Sequence, residues 1–352
     1  MAGLASELDA AGRAGCAVEW TDAVPLPFTT AGGVCWQNQA QLHASAYLAS
    51  LVEEAVARGV RIFDETPATG VDKAGAGGHP YLVHTSRFDV RAKDVFVAAS
   101  VPVNNRVLLH TKITAYRSHA IALDLSGLES GRSDPSTGSG SSRATSRDED
   151  LPPQVTGLFW DSDSPYHYTR SQEVAGRGYL IVGGEDHRTG VEADTDRHFD
   201  ALATYAEGHF AAQAIRYRWS GQIIEPIDGL PFIGLNAGSG HVYVATGYSG
   251  NGMTFGTLAG MIVTDLVLGR DNPYVALYDA TRVKPLAAAR AVGKSEDLLH
   301  RLSTWAQVVH VDTGCPRGGR LQAARSTASA TPFPPPRHSV AIPRVALRRC
   351  MA

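Results

Sequence analysis

Scarce cysteine, the lack of a long apolar run and the lack of a basic excess narrow the possibilities before any motif is read. Cys16, Cys35, Cys315 and Cys350 are the 4 cysteines of a 352-residue chain, and they are scattered. They show neither metal-ligand spacing nor a disulfide framework, so no residue is assigned to a metal and a reducing, cytoplasmic location is expected. No apolar run reaches the roughly 18 residues of a spanning helix, so no membrane segment is expected. Residues 1–15 carry Glu7 and Asp9 and no apolar core, which argues against a secretory signal. A net charge of −3 excludes the electrostatic footprint of a nucleic-acid-binding body. What remains is 43% hydrophobic with 36 glycines, a globular chain rich in turns. Its length suits two domains or one large α/β domain with insertions.

Taken in order, residues 4–15 read as a short amphipathic helix, followed by a loop through Pro25 and Pro27. Residues 44–58 carry Tyr47, Leu48, Leu51, Val52, Ala55 and Val56 at helical spacing, with Gly59 as the stop and His43 as a cap or loop residue. Residues 60–63 read as a strand, as do 81–84, 89–91 and 95–98, the last inside an apolar run suited to a parallel sheet. Residues 113–116, 119–123, 157–160, 166–170 and 179–182 are strand-like, and 198–213 helical. Residues 126–153 are rich in Ser, Gly, Asp and Arg, which predicts a flexible insertion. Residues 286–305 read as terminal helix. From 313 onward the chain holds seven arginines, no acid and a Pro-rich centre. That tail reads as disordered, and either an acidic partner or a shifted reading frame would account for it.

The densest signal is HVYVATGYSGNGMTFGTLAGMIVTDLVL at residues 241–268. A β-branched and aromatic strand enters a turn holding Gly247, Gly250 and Gly252, with Ser249 and Asn251 as candidate caps. A helix follows, stopped by Gly269. Such a turn aims free N–H groups and a positive helix end at one point, where an electron-rich group is expected, although an ordinary tight turn has the same look.

With its neighbours this stretch carries a resemblance. YRWSGQIIEPIDGLPFIG, then the glycine turn and helix, then NPY and LYDATR, together with NQAQLHASAYLASLVEEAVARGVRIFDETPATGV and PYHYTR…YLIVGGEDHRTG, resemble the FAD-dependent oxidoreductases of the D-amino-acid oxidase superfamily. The nearest likeness is to the branch often fused to a Rieske domain, and it covers most of residues 20–285. The resemblance implies a mixed α/β chain: a glutathione-reductase-like FAD domain, incomplete, interleaved with a mainly antiparallel β-sheet substrate domain. Residues 1–100 and 226–300 would form the FAD domain, and 101–225 the substrate domain. It implies non-covalent FAD held at Ala68, Ala98, Gly247, Ser249, Gly250, Asn251, Gly252, Met253 and Thr254, with Gly256 and Gly260 allowing close helix packing. The substrate would be a small-molecule amine or amino acid.

The departures set further expectations. The family's opening strand–GxGxxG–helix unit has no counterpart, so the chain looks N-terminally truncated and its hold on FAD weakened. The Rieske pairs are also missing, since Cys315 precedes Pro316. Where amino-acid oxidising relatives place a carboxylate-clamping arginine, this chain has Ile223. Period-two alternation puts Tyr166, Tyr168 and Arg170 on one strand face, as candidates for placing substrate, with His167 and Thr169 on the other. Which face meets the flavin stays open at this level. Glu185, Asp186 and His187 read as a solvated loop, and Trp219 as core. Two functions follow: oxidation of a C–N bond by hydride transfer to flavin N5, or a non-catalytic remnant or incomplete gene product that no longer binds FAD tightly. Oligomeric state is left open.

Overall fold

The computed structural model describes residues 2–282, apart from 76, 77, 79, 103–108, 126–154, 156 and 211–213. The predicted insertion at 126–153, the terminal helix at 286–305 and the tail from 313 lie outside the described residues.

Helix α1 (Ala2–Arg13) leads into a hairpin of β1 (Val18–Thr21) and β2 (Gly33–Trp36), which flank the predicted loop through Pro25 and Pro27. Helix α2 (Ala44–Ala57) starts at His43, whose Nδ1 accepts from the Ala46 N–H at 3.3 Å, so this histidine is a cap. Contrary to the amphipathic expectation, α2 buries none of its residues: Leu48, Leu51 and Val56 are all exposed. The apolar residues at 60–63 pair with nothing in a sheet and form no strand, with Val60, Ile62 and Phe63 exposed. β-propensity alone does not make a strand without a neighbouring strand to bond.

Strands β3 (Ala68–Lys73), β4 (Tyr81–Thr85) and β5 (Asp89–Ala92) form an antiparallel meander. Strand β6 (Val95–Val97) instead pairs in parallel with residues 242–244, the last strand among the described residues, as its apolar run predicted. The largest sheet comes next. Its strands are β7 (Ile113–Asp124), β8 (Leu158–Trp160), β9 (His167–Val174), β10 (Arg177–Arg188) and β11 (Ile215–Pro226), in the order β11-β7-β10-β9-β8. All its neighbours are antiparallel. The two segments predicted at 113–116 and 119–123 are one continuous strand, β7. Helix α3 (Asp196–His209) lies across one face, where Leu202 and Ala206 close on Ile121, Leu123, Leu180 and Val182. Trp219 is not core: β11 is an edge strand and the indole is 38% exposed.

The chain then returns through β12 (Phe232–Leu235) and β13 (Val242–Thr246) to helix α4 (Gly252–Val267) and the short α5 (Val275–Tyr278). The three-stranded sheet β12-β13-β6 and the large sheet share one apolar core, in which Val97, Val242, Val244 and Phe232 meet Ile113, Ala115 and Ile224. An ionic latch fastens this junction. Arg282 donates to both Asp228 carboxylate oxygens at 2.8 Å and lies 3.9 Å over the Phe232 ring, while Lys112 donates to the Arg282 carbonyl at 2.9 Å. No helix among the described residues is long and apolar enough to cross a membrane.

Candidate functional site

Register decides which side chains meet on the large sheet. Thr169, Val182 and Ile121 face α3, and so does His167, whose ring stacks on Tyr205 of α3 at 4.0 Å. Tyr168, Gly183 and Ala120, one residue off in register, take the opposite face. Tyr166, Tyr168 and Arg170 therefore share the face that lies away from α3. Glycine at 183 is required here, because a Cβ would stand 2.2 Å from Cζ of Tyr168.

Strand β10 then breaks register between Gly184 and His187. Gly184 (φ 132°) and Glu185 (φ 53°) are both left-handed, the signature of a β-bulge. A regular strand would alternate on from Gly184, turning Asp186 toward α3 and His187 away. With the extra residue the assignments reverse: Glu185 and His187 face α3, and Asp186 joins Ser118, Tyr166 and Tyr168 on the open face. Glu185, Asp186 and His187 are therefore not a solvated loop, as their polarity suggested, but half-buried or buried strand residues. The double glycine was the signal, since it marks where β10 bulges against β7.

The open face is electrostatically tense. Burial pushes the Asp186 carboxyl up, against the lowering influence of Ser118 and Tyr166. Burial, then Asp186, does the same to Glu225 on β11, which nonetheless keeps a side open to water. Burial and the Asp186 charge also raise the Tyr166 hydroxyl, and burial raises Tyr168. Asp186 Oδ1 and Ser118 Oγ are buried without a well-formed hydrogen bond. Buried polar atoms normally find well-formed partners, so two such atoms on one face mark it as a candidate site. Arg170 differs. Its guanidinium donates to the Leu42 carbonyl at 3.2 Å through both Nη atoms, and to Gln172, which ties β9 to the chain just before α2.

The glycine turn abuts this face. The Ser249 N–H donates to the Ile224 carbonyl at 3.1 Å, beside Glu225, and a Cβ on Gly247 (φ 81°) would press within 3.3 Å of Pro226. Asn251 is the N-cap of α4, yet its side chain makes no cap bond and donates instead to the Ser249 carbonyl. The first N–H groups of α4, at Gly252, Met253 and Thr254, are thus left for another acceptor. Gly250, Asn251, Gly252 and Thr254 are exposed, while Ser249 and Met253 are partly covered. Ala98, just past β6, lies near this turn, since Thr246 Oγ1 donates to the Ser100 carbonyl at 2.6 Å. Ala68 is exposed in a different sheet, β3-β4-β5. Among the described residues nothing lies within 4 Å of a Cβ at Gly256 or Gly260, so no close packing is made there by this part of the chain. Sequence reading singled out the turn and the tyrosines. It did not find Ser118 or Glu225, which join the site only through sheet pairing.

Comparison with known proteins bears directly on this geometry. The chain is 26% identical over 264 residues to the putative Rieske 2Fe-2S iron-sulfur protein YhfW of Bacillus subtilis, covering 74% of this chain and 46% of that one. It is 24% identical over 273 residues to the probable oxidoreductase OrdL of Haemophilus influenzae, covering 74% and 55%. The chain thus spans about half the length of the curated relatives it matches. Among solved structures, glycine oxidase from Geobacillus kaustophilus superposes with a TM-score of 0.62 at 18% identity, over 80% of this chain and 71% of that one. That likeness establishes the mixed α/β fold. The family model for FAD dependent oxidoreductase (DAO) matches residues 1–266, three quarters of the sequence, and the chain belongs to that family.

Proposed function

We propose that this protein oxidises a C–N bond of a small amine or amino acid, with FAD lying between the glycine turn and the open face of the large sheet. The observation that carries the reading is the uncapped N-terminus of α4 beside Asp186, Glu225, Tyr166 and Tyr168. Bound FAD would supply a hydride acceptor at N5. The free N–H groups at Gly252, Met253 and Thr254 would hold negative charge at the isoalloxazine end, and glycines at 247, 250 and 252 keep side chains out of the way. In this reading residues 1–100 and 226–300 belong to the FAD domain and 101–225 to the substrate domain.

The remaining steps fall to the chain's own side chains. Asp186, with its raised pKa and unpaired Oδ1, accepts a proton from the substrate ammonium, leaving the neutral amine that oxidation requires. Glu225 assists from β11. Tyr166 and Tyr168 wall the site and exclude water. Both Nη atoms of Arg170 are engaged by the Leu42 carbonyl, and position 223 is isoleucine rather than the carboxylate-clamping arginine. An amine or N-substituted amine is therefore favoured over an α-amino acid held by that group.

The test is to saturate the purified chain with FAD and follow the visible flavin band anaerobically as primary amines, secondary amines and amino acids are added. Bleaching by an amine is expected, slowed by about 10²-fold or more in Asp186→Asn. Bound flavin that no compound of the panel reduces would overturn the reading. A protein that takes up no flavin would favour the non-catalytic alternative.

A further inference from the structure

The opposite face of the same sheet holds a feature that flavin chemistry does not use. His119 on β7, His187 on β10 and His198 in the first turn of α3 are 1%, 9% and 6% exposed, and one nitrogen from each lies within 4.8 Å of the others. We propose that these three imidazoles form a binding site for a divalent transition-metal ion of the Zn²⁺ type, which ties α3 to the sheet.

The hydrogen-bond inventory supports this. Both ring nitrogens of His119, and Nδ1 of His187, are buried without a well-formed hydrogen bond, although the Glu185 backbone lies close enough to act on the His119 ring. A buried imidazole without a partner is costly, and metal ligation is one of the few ways to satisfy it. Two of the three rings are also held towards the neutral form that a metal needs. Burial first, then the neighbouring His198 and His187, lower His119 to about 4, and burial lowers His187. Neutral rings present lone pairs.

A second tier of groups surrounds the three. His198 Nε2 lies 2.9 Å from Glu192 Oε2, the carboxylate–histidine arrangement that orients metal-bound imidazoles. Glu185 Oε2 lies 3.5 Å from His198 Nδ1, within reach of a fourth coordination position. The bulge places Glu185 and His187 on this face, and the left-handed Glu185 backbone is a strain that this double duty would justify. Two cations oppose the site. Arg117 donates to Ser220 Oγ at 2.9 Å, and Arg197 is paired with Glu192 at 2.5 Å, so the acids Glu185 and Glu192 balance them.

Some rearrangement is needed on binding. The rings are nearly parallel, at 7° to 23°, with centroids 4.3 to 5.2 Å apart. A tetrahedral ion with Zn–N of about 2.0–2.1 Å wants its ligand atoms roughly 3.3 Å apart. The rings must therefore turn so that their lone pairs converge, a shift of about 1 Å that rotation of the side chains supplies. The ligand type, three imidazoles with a carboxylate, selects Zn²⁺ and its neighbours over Mg²⁺ or Ca²⁺.

The experiment uses the full chain, stripped with a chelator and titrated with Zn²⁺ by calorimetry. One ion per chain is expected, with affinity falling about 10- to 100-fold or more in His119→Gln and in His198→Gln. His84→Gln should bind as the parent does, although that exposed imidazole sits between Asp72 and Asp89. The wild-type melting temperature should rise with Zn²⁺ and not with Mg²⁺. No binding, or binding that survives His119→Gln or is lost in His84→Gln, overturns the proposal. If His119→Gln fails to fold, Co²⁺ added to the wild type decides: an intense four-coordinate visible spectrum supports the site, and a weak six-coordinate one rejects it.

Discussion

On the α3 side of the large sheet, Ile121, Leu123, Leu180 and Val182 pack on Leu202, Ala206 and Phe210, and outside the His119–His187 pair His167 and His198 there have carboxylate neighbours. His167 sits between Asp161 and Glu185 at 3.0 and 3.2 Å, and His198 between Glu185 and Glu192. On the other side, Ser118, Tyr168 and Asp186 are just as much part of the strands, yet Asp186 Oδ1 and Ser118 Oγ have no well-formed hydrogen bond. One face is built for cohesion. The other keeps polar groups available at a cost in stability, which is how functional sites are commonly distinguished from structural ones. Both depend on a single irregularity, the bulge at Gly184 and Glu185, which deals Asp186 to one face and His187 to the other.

The sharpest way to break this comparison is to hollow out the cohesive face. Leu202 is 0% exposed, and Leu202→Ala should cost about 3–5 kcal/mol of unfolding free energy, read from a urea titration. Bound flavin in the folded fraction should be unaffected, because α3 lies on the far side of the sheet. A cost below about 1 kcal/mol would mean that α3 is not what anchors this sheet.

Sequence legibility followed the same division. Elements whose residues specify them locally were readable: the helix capped by His43, the strands at 81–84 and 95–97, and the strand–glycine turn–helix ending in α4. What failed was whatever depends on a distant partner. Residues 60–63 carry strand-like chemistry and form no strand, since no neighbouring strand bonds them. The apolar stripe of α2 predicted a buried face, but amphipathicity states only what a helix could bury. The candidate site divided likewise. Tyr166, Tyr168 and the glycine turn were visible as motifs. Asp186 was noticed and misjudged, because a bulge changes which face a residue takes and leaves only two glycines as a trace. Ser118 and Glu225 gave no signal, being ordinary strand residues made important by register alone. The histidine trio draws on positions 119, 187 and 198, a spacing that no metal motif describes.

A smaller effect tests the functional face through its pH dependence. Asp186 has a folded pKa above its ordinary 3.8, raised mainly by burial. Between the unfolded and folded values the native state holds more protons, so this group makes stability fall as pH rises above about 4 and then level off. Asp186→Asn removes that charge. The variant should match the wild type near pH 4 and gain on it steadily towards neutrality, as followed by urea midpoints at several pH values, while losing amine oxidation. A variant that is less stable than the wild type at pH 7 would show that the carboxylate is satisfied in the fold, and the contrast between the faces would lose its basis.

The mildest substitution sharpens the contrast most finely. Tyr168 fills the space left by Gly183, so Tyr168→Phe keeps the ring and its packing and deletes only the hydroxyl. On a cohesive face, removing a buried hydroxyl that had a protein partner would cost about 1 kcal/mol and leave that partner stranded. Here Ser118 Oγ already lacks a well-formed bond, so the unfolding midpoint should move by less than that. A hydroxyl reserved for ligand would show itself elsewhere, in a KM for amine raised about two- to tenfold, the worth of one ordinary hydrogen bond, with kcat little changed. If the stability loss is the larger of the two effects, Tyr168 is a structural residue and the open face is less open than its unpaired atoms imply.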